Sequence, residues 1–236
     1  PCMTAVIYGE KSGFAFLITM AVCVAIGIPL TLKKPRKRAF YTKEGFVAVA
    51  LSWIVLSIMG ALPFLLSGSL SSPVDALFET VSGFTTTGAS IFTDVEVLPH
   101  CILIWRSFTH WIGGMGVLVF ILALLPLAGG YHMNLMKAES PGPSVGKLVP
   151  KVQSTAKILY TIYFGLTVLQ IVFLLIGKMP LFDTLCISFG TAGTGGFGIR
   201  NDSVGGYSTY IQVVVTIFMI LFGVNFNVYF LLLTKK

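Results

Sequence analysis

Three glycines in the stretch TAGTGGFG (191–198), Gly193, Gly195 and Gly198, spell G-x-G-x-x-G. A loop of that spacing can wrap a pyrophosphate if a strand precedes it, a helix follows it and an acidic residue lies about 20 positions on. Here no strand pattern precedes Gly193, and no acidic residue follows at that distance. The nucleotide reading fails. A second candidate is nucleophilic: Ser90, in the run Gly88-Ala89-Ser90, with His100, His110 or His132 as base. No spacing brings any of these histidines within hydrogen-bond reach of Ser90, so an intramembrane hydrolase is the weaker alternative. A third candidate is Arg106, an ionisable residue inside an apolar run, which is a functional hypothesis by default. Its cost is met most simply by a structural pair with an acid such as Glu79 or Asp94. His110, four residues on, shares its helix face and reads as a packed or hydrogen-bonded histidine before a proton relay.

The elements that must position these residues are set by composition. The chain has 236 residues, 55% of them hydrophobic and only 11% charged. Its mean hydropathy is +0.88. A soluble domain carries about 25% charged residues. The reading is an all-α integral membrane protein. Spans are expected at 12–32 (broken near its end by Gly27 and Pro29), 44–66, 101–126, 157–177 and 208–233. Residues 12–32 lack the flanks of a signal peptide. The chain starts at Pro1 and stops just after an apolar span, as a piece of a longer protein would.

The net charge of +7 is concentrated at Lys33 to Lys43, at Lys137 to Lys157 and at the Lys235-Lys236 pair. Each cluster flanks an apolar span, so the charge marks cytoplasmic sides of a membrane and not nucleic-acid binding. Cys2, Cys23, Cys101 and Cys186 are scattered and read as small core residues, with no disulfide framework or metal site.

Two segments are too short to span: PVDALFETVSGFTTTGAS (73–90) and PLFDTLCISFGTAGTGGFG (180–198). They align without gaps at one constant offset. Asp75 matches Asp183, Leu77 matches Leu185, Thr86 matches Thr194, Gly88 matches Gly196, and Asp94 matches Asp202. Ser90 falls opposite Gly198, which further weakens it as a nucleophile. The chain thus reads as two repeats of span, short helix, Thr/Gly-rich loop and span, and internal symmetry of this kind marks membrane transport folds. The expected organisation is 1–43, an N-terminal span and basic loop; 44–132, the first repeat; 133–156, a cytoplasmic linker; and 157–236, the second repeat.

With 33–43 and 133–157 cytoplasmic, each short segment begins and ends outside and is re-entrant. Irregular backbone at membrane depth is tolerated only where it is buried in protein or lines a watery cavity. Its carbonyls can then replace the hydration shell of a cation. The C-terminal, partly negative ends of the short helices favour a cation there. Asp75, Glu79, Asp94, Glu96, Asp183 and Asp202 make an acidic outer mouth, with Asp75 and Asp183 as helix N-caps. Gly113, Gly114 and Gly116 suggest close helix packing, with a flexible point as the second reading. Asn225 and Asn227 bond across helices or face the pore. Tyr160, Tyr163 and Phe164 read as lipid- or helix-facing anchors.

GFTTTGAS (83–90), WRSFTHWIGGMGVLVF (105–120) and GTAGTGGFGIRNDS (190–203) resemble the Trk/Ktr/HKT superfamily of potassium transporters, above all the bacterial Trk-type membrane subunit. ALSWIVLSIMGALPFLLSG (50–68) is similar to the first outer helix of that family's first repeat. The resemblance implies a potassium-channel-like fold of helix–pore-loop–helix repeats, of which this chain holds two of four plus one extra N-terminal span. It implies potassium as the transported ion and no further cofactor. The filter would be formed by Thr85, Thr86, Thr87, Gly88 and Ala89 with Gly193, Thr194, Gly195, Gly196 and Phe197. Potassium would lie on the carbonyls of Thr86, Thr87, Gly88, Thr194, Gly195 and Gly196. Gly88 and Gly196 match the glycine position associated with potassium preference. The implied setting is the cell (inner) membrane, with membrane lipid, a cytoplasmic ring of nucleotide-binding regulatory subunits, and a homodimer of the complete transporter as partners. A non-transporting half of such a transporter is the alternative.

Overall fold

The computed structural model describes residues 1–32, 42–116, 152–226, 228, 229 and 232. Most of the basic segments and of the expected linker 133–156 lie outside the described residues, as does His132. Eight helices of seven or more residues carry the described fold: α1 (Cys2–Tyr8), α2 (Gly13–Leu32), α3 (Thr42–Leu66), α4 (Pro73–Phe84), α5 (His100–Gly114), α6 (Val152–Ile176), α7 (Leu181–Ala192) and α8 (Thr209–Gly223).

Gly13–Leu32, Val47–Leu66 and Lys157–Ile176 are long and apolar enough to cross a membrane, by length and composition. Twenty residues of helix rise about 30 Å, the thickness of a bilayer's hydrocarbon core. Much of their apolar surface points outward, as at Leu51, Ile54 and Val55 of α3 and Val168, Leu169 and Val172 of α6. Helices α4 and α7 have 12 residues each. At about 1.5 Å per residue they reach only some 18 Å. Both ends of α4 and α7 are equivalent positions in the sequence repeat, Pro73 with Leu181 and Phe84 with Ala192.

Helix α5 packs on α7 more extensively than any other helix pair, and also on α4 and α1. It therefore lies between the two short helices. Helix α3 backs α4, and α6 and α8 back α7. Two apolar clusters fill the interior. One gathers Phe64, Ala76, Cys101 and Ile102 with Cys186 and Ile199 of the second half. The other gathers Tyr163, Leu174, Ile187, Val214 and Phe218. Between membrane-crossing helices such clusters are held by close van der Waals packing, since lipid is as apolar as they are. Buried hydroxyls return their protons to the preceding turn: Thr80 donates to the Ala76 carbonyl, Thr167 to Tyr163 and Thr191 to Ile187.

Several expectations are corrected. Helix α2 is not broken at Gly27 and Pro29 but runs on to Leu32. In an apolar surround the helix is the conformation that keeps backbone groups bonded, so one missing amide does not end it. The last expected span, 208–233, is interrupted: α8 stops at Gly223 and Val224 is extended, with φ −69° and ψ 139°. Helix α5 ends at Gly114, followed by Gly116 at φ 73°; residues 117–126 lie outside the described residues. Asp75 and Asp183 are not the N-caps. Ser72 caps α4, its hydroxyl accepting from the Asp75 amide, and Pro180 precedes α7. Both aspartates sit in the first turn, where a negative charge still meets the helix's positive end. Helix α1 was not expected from the sequence, and it packs on α2 and α5.

Candidate functional site

Helix α4 runs directly into Thr85–Ala89, and α7 into Gly193–Phe197. The two loops leave their helices in matching ways. The Thr85 amide donates to the Val81 carbonyl, and the Gly193 amide to that of Phe189, donor and acceptor both being equivalent positions in the repeat. The Thr86 amide donates to Gly83 and the Thr194 amide to Thr191, again equivalent positions. Thr86 and Thr194 both have φ 56°. Gly88 and Gly196 follow with φ 75° and 78°. The left-handed region is natural for glycine and costly for a β-branched side chain. Both loops thus place a left-handed threonine two residues before a left-handed glycine.

The loops touch. A Cβ on Gly88 would overlap the Gly195 carbonyl, so the first loop lies on the second at that point. At Gly196 a Cβ would meet nothing within 4 Å among the described residues. Helix α5 supports both loops. A Cβ on Gly113 would overlap the Phe84 carbonyl, and one on Gly114 would press on Tyr163 Oη and Gly193. Gly113 and Gly114 are therefore used for close packing of the short-helix ends and their loops on α5.

His110 is fully buried, and its ring stacks on Phe197 with centroids 4.0 Å apart. Neither ring nitrogen has a hydrogen-bond partner among the described residues, so His110 is a packed histidine behind the second loop. Arg106, one turn earlier, is 2% exposed. Its Nε donates to Glu79 Oε1 at 2.7 Å. Its Nη2 donates to Ser90 Oγ at 3.0 Å and its Nη1 to the Gly198 carbonyl at 3.2 Å. The guanidinium also lies 4.4 Å from the Phe197 ring centroid and 5.3 Å from that of Phe92. Glu79 is 1% exposed and additionally accepts from the Ser90 hydroxyl and the Ile91 amide. Glu79 thus adds no charge to an acidic mouth, because it is neutralised inside the protein.

Ser90 is bound to Glu79 and Arg106, and none of the described histidines bonds to it. His100 is engaged elsewhere: its amide and Nδ1 meet Glu10 Oε1 at 2.7 and 2.9 Å. The Cys101 amide donates to Glu10 Oε2 at 2.9 Å. Glu10, far away in sequence, therefore caps α5. Burial pushes its carboxyl up, but the hydrogen bonds from Cys101 and His100 outweigh that and hold its pKa below the ordinary value.

At the rim, Asn201 ties the two halves together. Its Nδ2 donates to Asp94 at 2.9 Å, its amide to Glu96 at 3.1 Å, and its Oδ1 accepts from the Val95 amide at 2.9 Å. The Asn201 bond, followed by that from the Glu96 amide, holds the Asp94 carboxyl below its usual pKa. Glu96, Asp183, Arg200, Asn201 and Asp202 help line an open cavity of about 500 Å³ beside this clasp. Sequence reasoning missed the Asn201 clasp and the Glu10 cap. A polar residue one position before the repeated Asp202 was the signal for the first. Tyr163, expected to face lipid or a helix, faces a helix: it is buried, and its hydroxyl donates to the Trp111 carbonyl.

A family model described as the cation transport protein TrkH matches residues 12–236. The chain is 41% identical over 240 residues to the Trk system potassium uptake protein TrkH of Salmonella typhimurium, covering 100% of this chain and 50% of that protein. It is 40% identical to the TrkH protein of Escherichia coli K12, with the same coverage. Its structure is similar to the crystal structure of the potassium transporter TrkH from Vibrio parahaemolyticus, with a TM-score of 0.81 and 32% identity over 99% of this chain and 47% of that one. The chain spans about half the length of the curated relatives it matches.

Proposed function

Since the chain belongs to the TrkH cation transport protein family, we propose that it supplies two adjacent quarters of a potassium-conducting pore. The filter is made by the backbone carbonyls of Thr85–Ala89 and Gly193–Phe197. The observation that carries this reading is the shared backbone of the loops: φ 56° at Thr86 and Thr194, then 75° and 78° at Gly88 and Gly196. Carbonyls so arranged can replace water around a cation. Helices α4 and α7 end at these loops and present their partly negative termini to it. Selection of potassium over sodium, with Gly88 and Gly196 as the deciding glycines, rests on the family likeness.

In this reading 44–132 and 157–236 are the two pore repeats. Their loops are re-entrant from the outside, and 33–43 and 133–157 lie on the cytoplasmic side of the cell membrane. The basic linker meets acidic lipid headgroups or a cytoplasmic ring of regulatory subunits. The complete transporter is a homodimer. A second reading, in which this half does not conduct unaided, is supported by Gly196, whose Cβ direction meets no described atom while its twin Gly88 lies on Gly195.

The test is potassium-dependent growth of a transport-deficient strain expressing the chain alone and joined to a second half of the pore. Rescue only with the second half, lost or turned toward sodium by Gly88→Ser, supports a filter in a shared pore. Rescue by the chain alone means that it self-assembles. No rescue in either form, with the protein inserted, contradicts transport.

A further inference from the structure

We propose that Arg106 is a positioning residue that locks the two loops to each other, with Glu79 holding its guanidinium in place; the inference rests on the filter reading above. Ser90 and Gly198 are equivalent positions in the two repeats, each the second residue after the repeated glycine. One guanidinium reaches both: Nη2 bonds the Ser90 hydroxyl and Nη1 the Gly198 carbonyl. A planar fork presents two nitrogens with donors in fixed directions, where an ammonium offers a single nitrogen on a flexible stem.

The repeat supplies an internal comparison. The position equivalent to Glu79 is Ile187, and Arg106, the seventh residue of α5, corresponds to Val215, the seventh of α8. Both are buried in the same apolar cluster. The second repeat therefore fills these two positions without charge. A buried ion pair costs desolvation that an apolar pair avoids, and stability alone does not explain its use. What the apolar pair lacks is the bridge between loops. Arg106 also packs against Phe197, the last residue of the second loop, though it belongs to the first repeat. The second loop, with the Gly198 that follows it, is thus held from a helix outside its own repeat.

The comparison dictates the experiment. Glu79→Ile combined with Arg106→Val copies the second repeat's solution into the first. Arg106→Lys keeps the charge and removes the fork. Amide hydrogen exchange is followed in the purified chain joined to a second half of the pore, in potassium and in sodium buffer. The expected result for both variants is wild-type exchange in α6 and exchange at 193–199 faster by about tenfold or more, as when charge-assisted hydrogen bonds are lost. The greater slowing of loop exchange by potassium than by sodium, expected in the unaltered chain, should disappear. Unchanged exchange at 193–199 in both variants overturns the proposal. So does cation discrimination that survives in a loosened loop. If the variants loosen 193–199 but neither cation slows exchange in the unaltered chain, the lock stands and the filter reading falls.

Discussion

Thr86 and Thr194, equivalent positions in the two repeats, share a left-handed φ of 56°. A β-branched residue in that region is strained by roughly 1–3 kcal/mol. The same strain at the same place in two repeats ties it to the work of the loops. Small backbone rotations there would re-aim the carbonyls on either side.

Replacing either threonine by glycine removes the strain and adds glycine's chain-entropy cost of about 0.5–1 kcal/mol. The strain is the larger quantity. Thr86→Gly and Thr194→Gly should therefore raise stability by about 1 kcal/mol each in thermal unfolding. In the pore joined to its second half, they should also weaken discrimination between potassium and sodium in uptake assays.

Gly88→Ala and Gly196→Ala separate backbone conformation from contact. Both place a side chain at positive φ, at about 1–2 kcal/mol. Only Gly88→Ala also drives a methyl into the Gly195 carbonyl. Overpacking adds about 1–3 kcal/mol. In this chain Gly88→Ala should be the more destabilising of the two by at least about 1 kcal/mol, read from denaturant or thermal unfolding.

Capping distinguishes two assignments for α4. Ser72→Ala removes the hydroxyl that accepts from the Asp75 amide and should cost about 1 kcal/mol. Asp75→Asn removes a first-turn charge and should cost only about 0.3–1 kcal/mol. If the aspartate change were the larger, the cap assignment would be wrong.

Acid should loosen the face that carries Glu10 and Asp94. The Glu10 and Asp94 carboxyls are both held below their ordinary pKa in the fold. A depressed folded pKa means stability that is present above the ordinary carboxylate value and lost as pH falls through the folded value. The melting temperature should therefore drop as pH is lowered through that acid range. Glu10→Gln and Asn201→Ala should each flatten the dependence, one by removing the titrating group and the other by removing the first cause of the Asp94 shift.

The two short helices and their loops were legible because an ungapped repeat is an internal alignment: Pro73–Phe84 and Leu181–Ala192 keep its spacing at both ends. Glycine and threonine in the loops signalled irregular backbone, though not that Thr86 and Thr194 would be the left-handed residues. The caps were misread because Ser72 and Asp75 are both good capping types, and only the chain direction before Pro73 decides between them. Helix α1 was invisible: so short a helix carries too little periodicity. The partner of Arg106 stayed open because Glu79 and Asp94 were both within reach in sequence. The register of α5 against α4, a matter of tertiary packing, selects Glu79. Glu10 bonds to His100 and Asn201 to Asp94, pairs far apart in sequence, and local pattern carries no such information.

The most direct measurement is anomalous diffraction from thallium, a potassium surrogate, soaked into crystals of the chain joined to a second half of the pore. A peak coordinated by the carbonyls of Thr86, Thr87, Gly88, Thr194, Gly195 and Gly196, competed away by potassium better than by sodium, is the predicted result. Ordered loops with no thallium between them, or thallium bound only to side-chain carboxylates at the rim, would contradict the account.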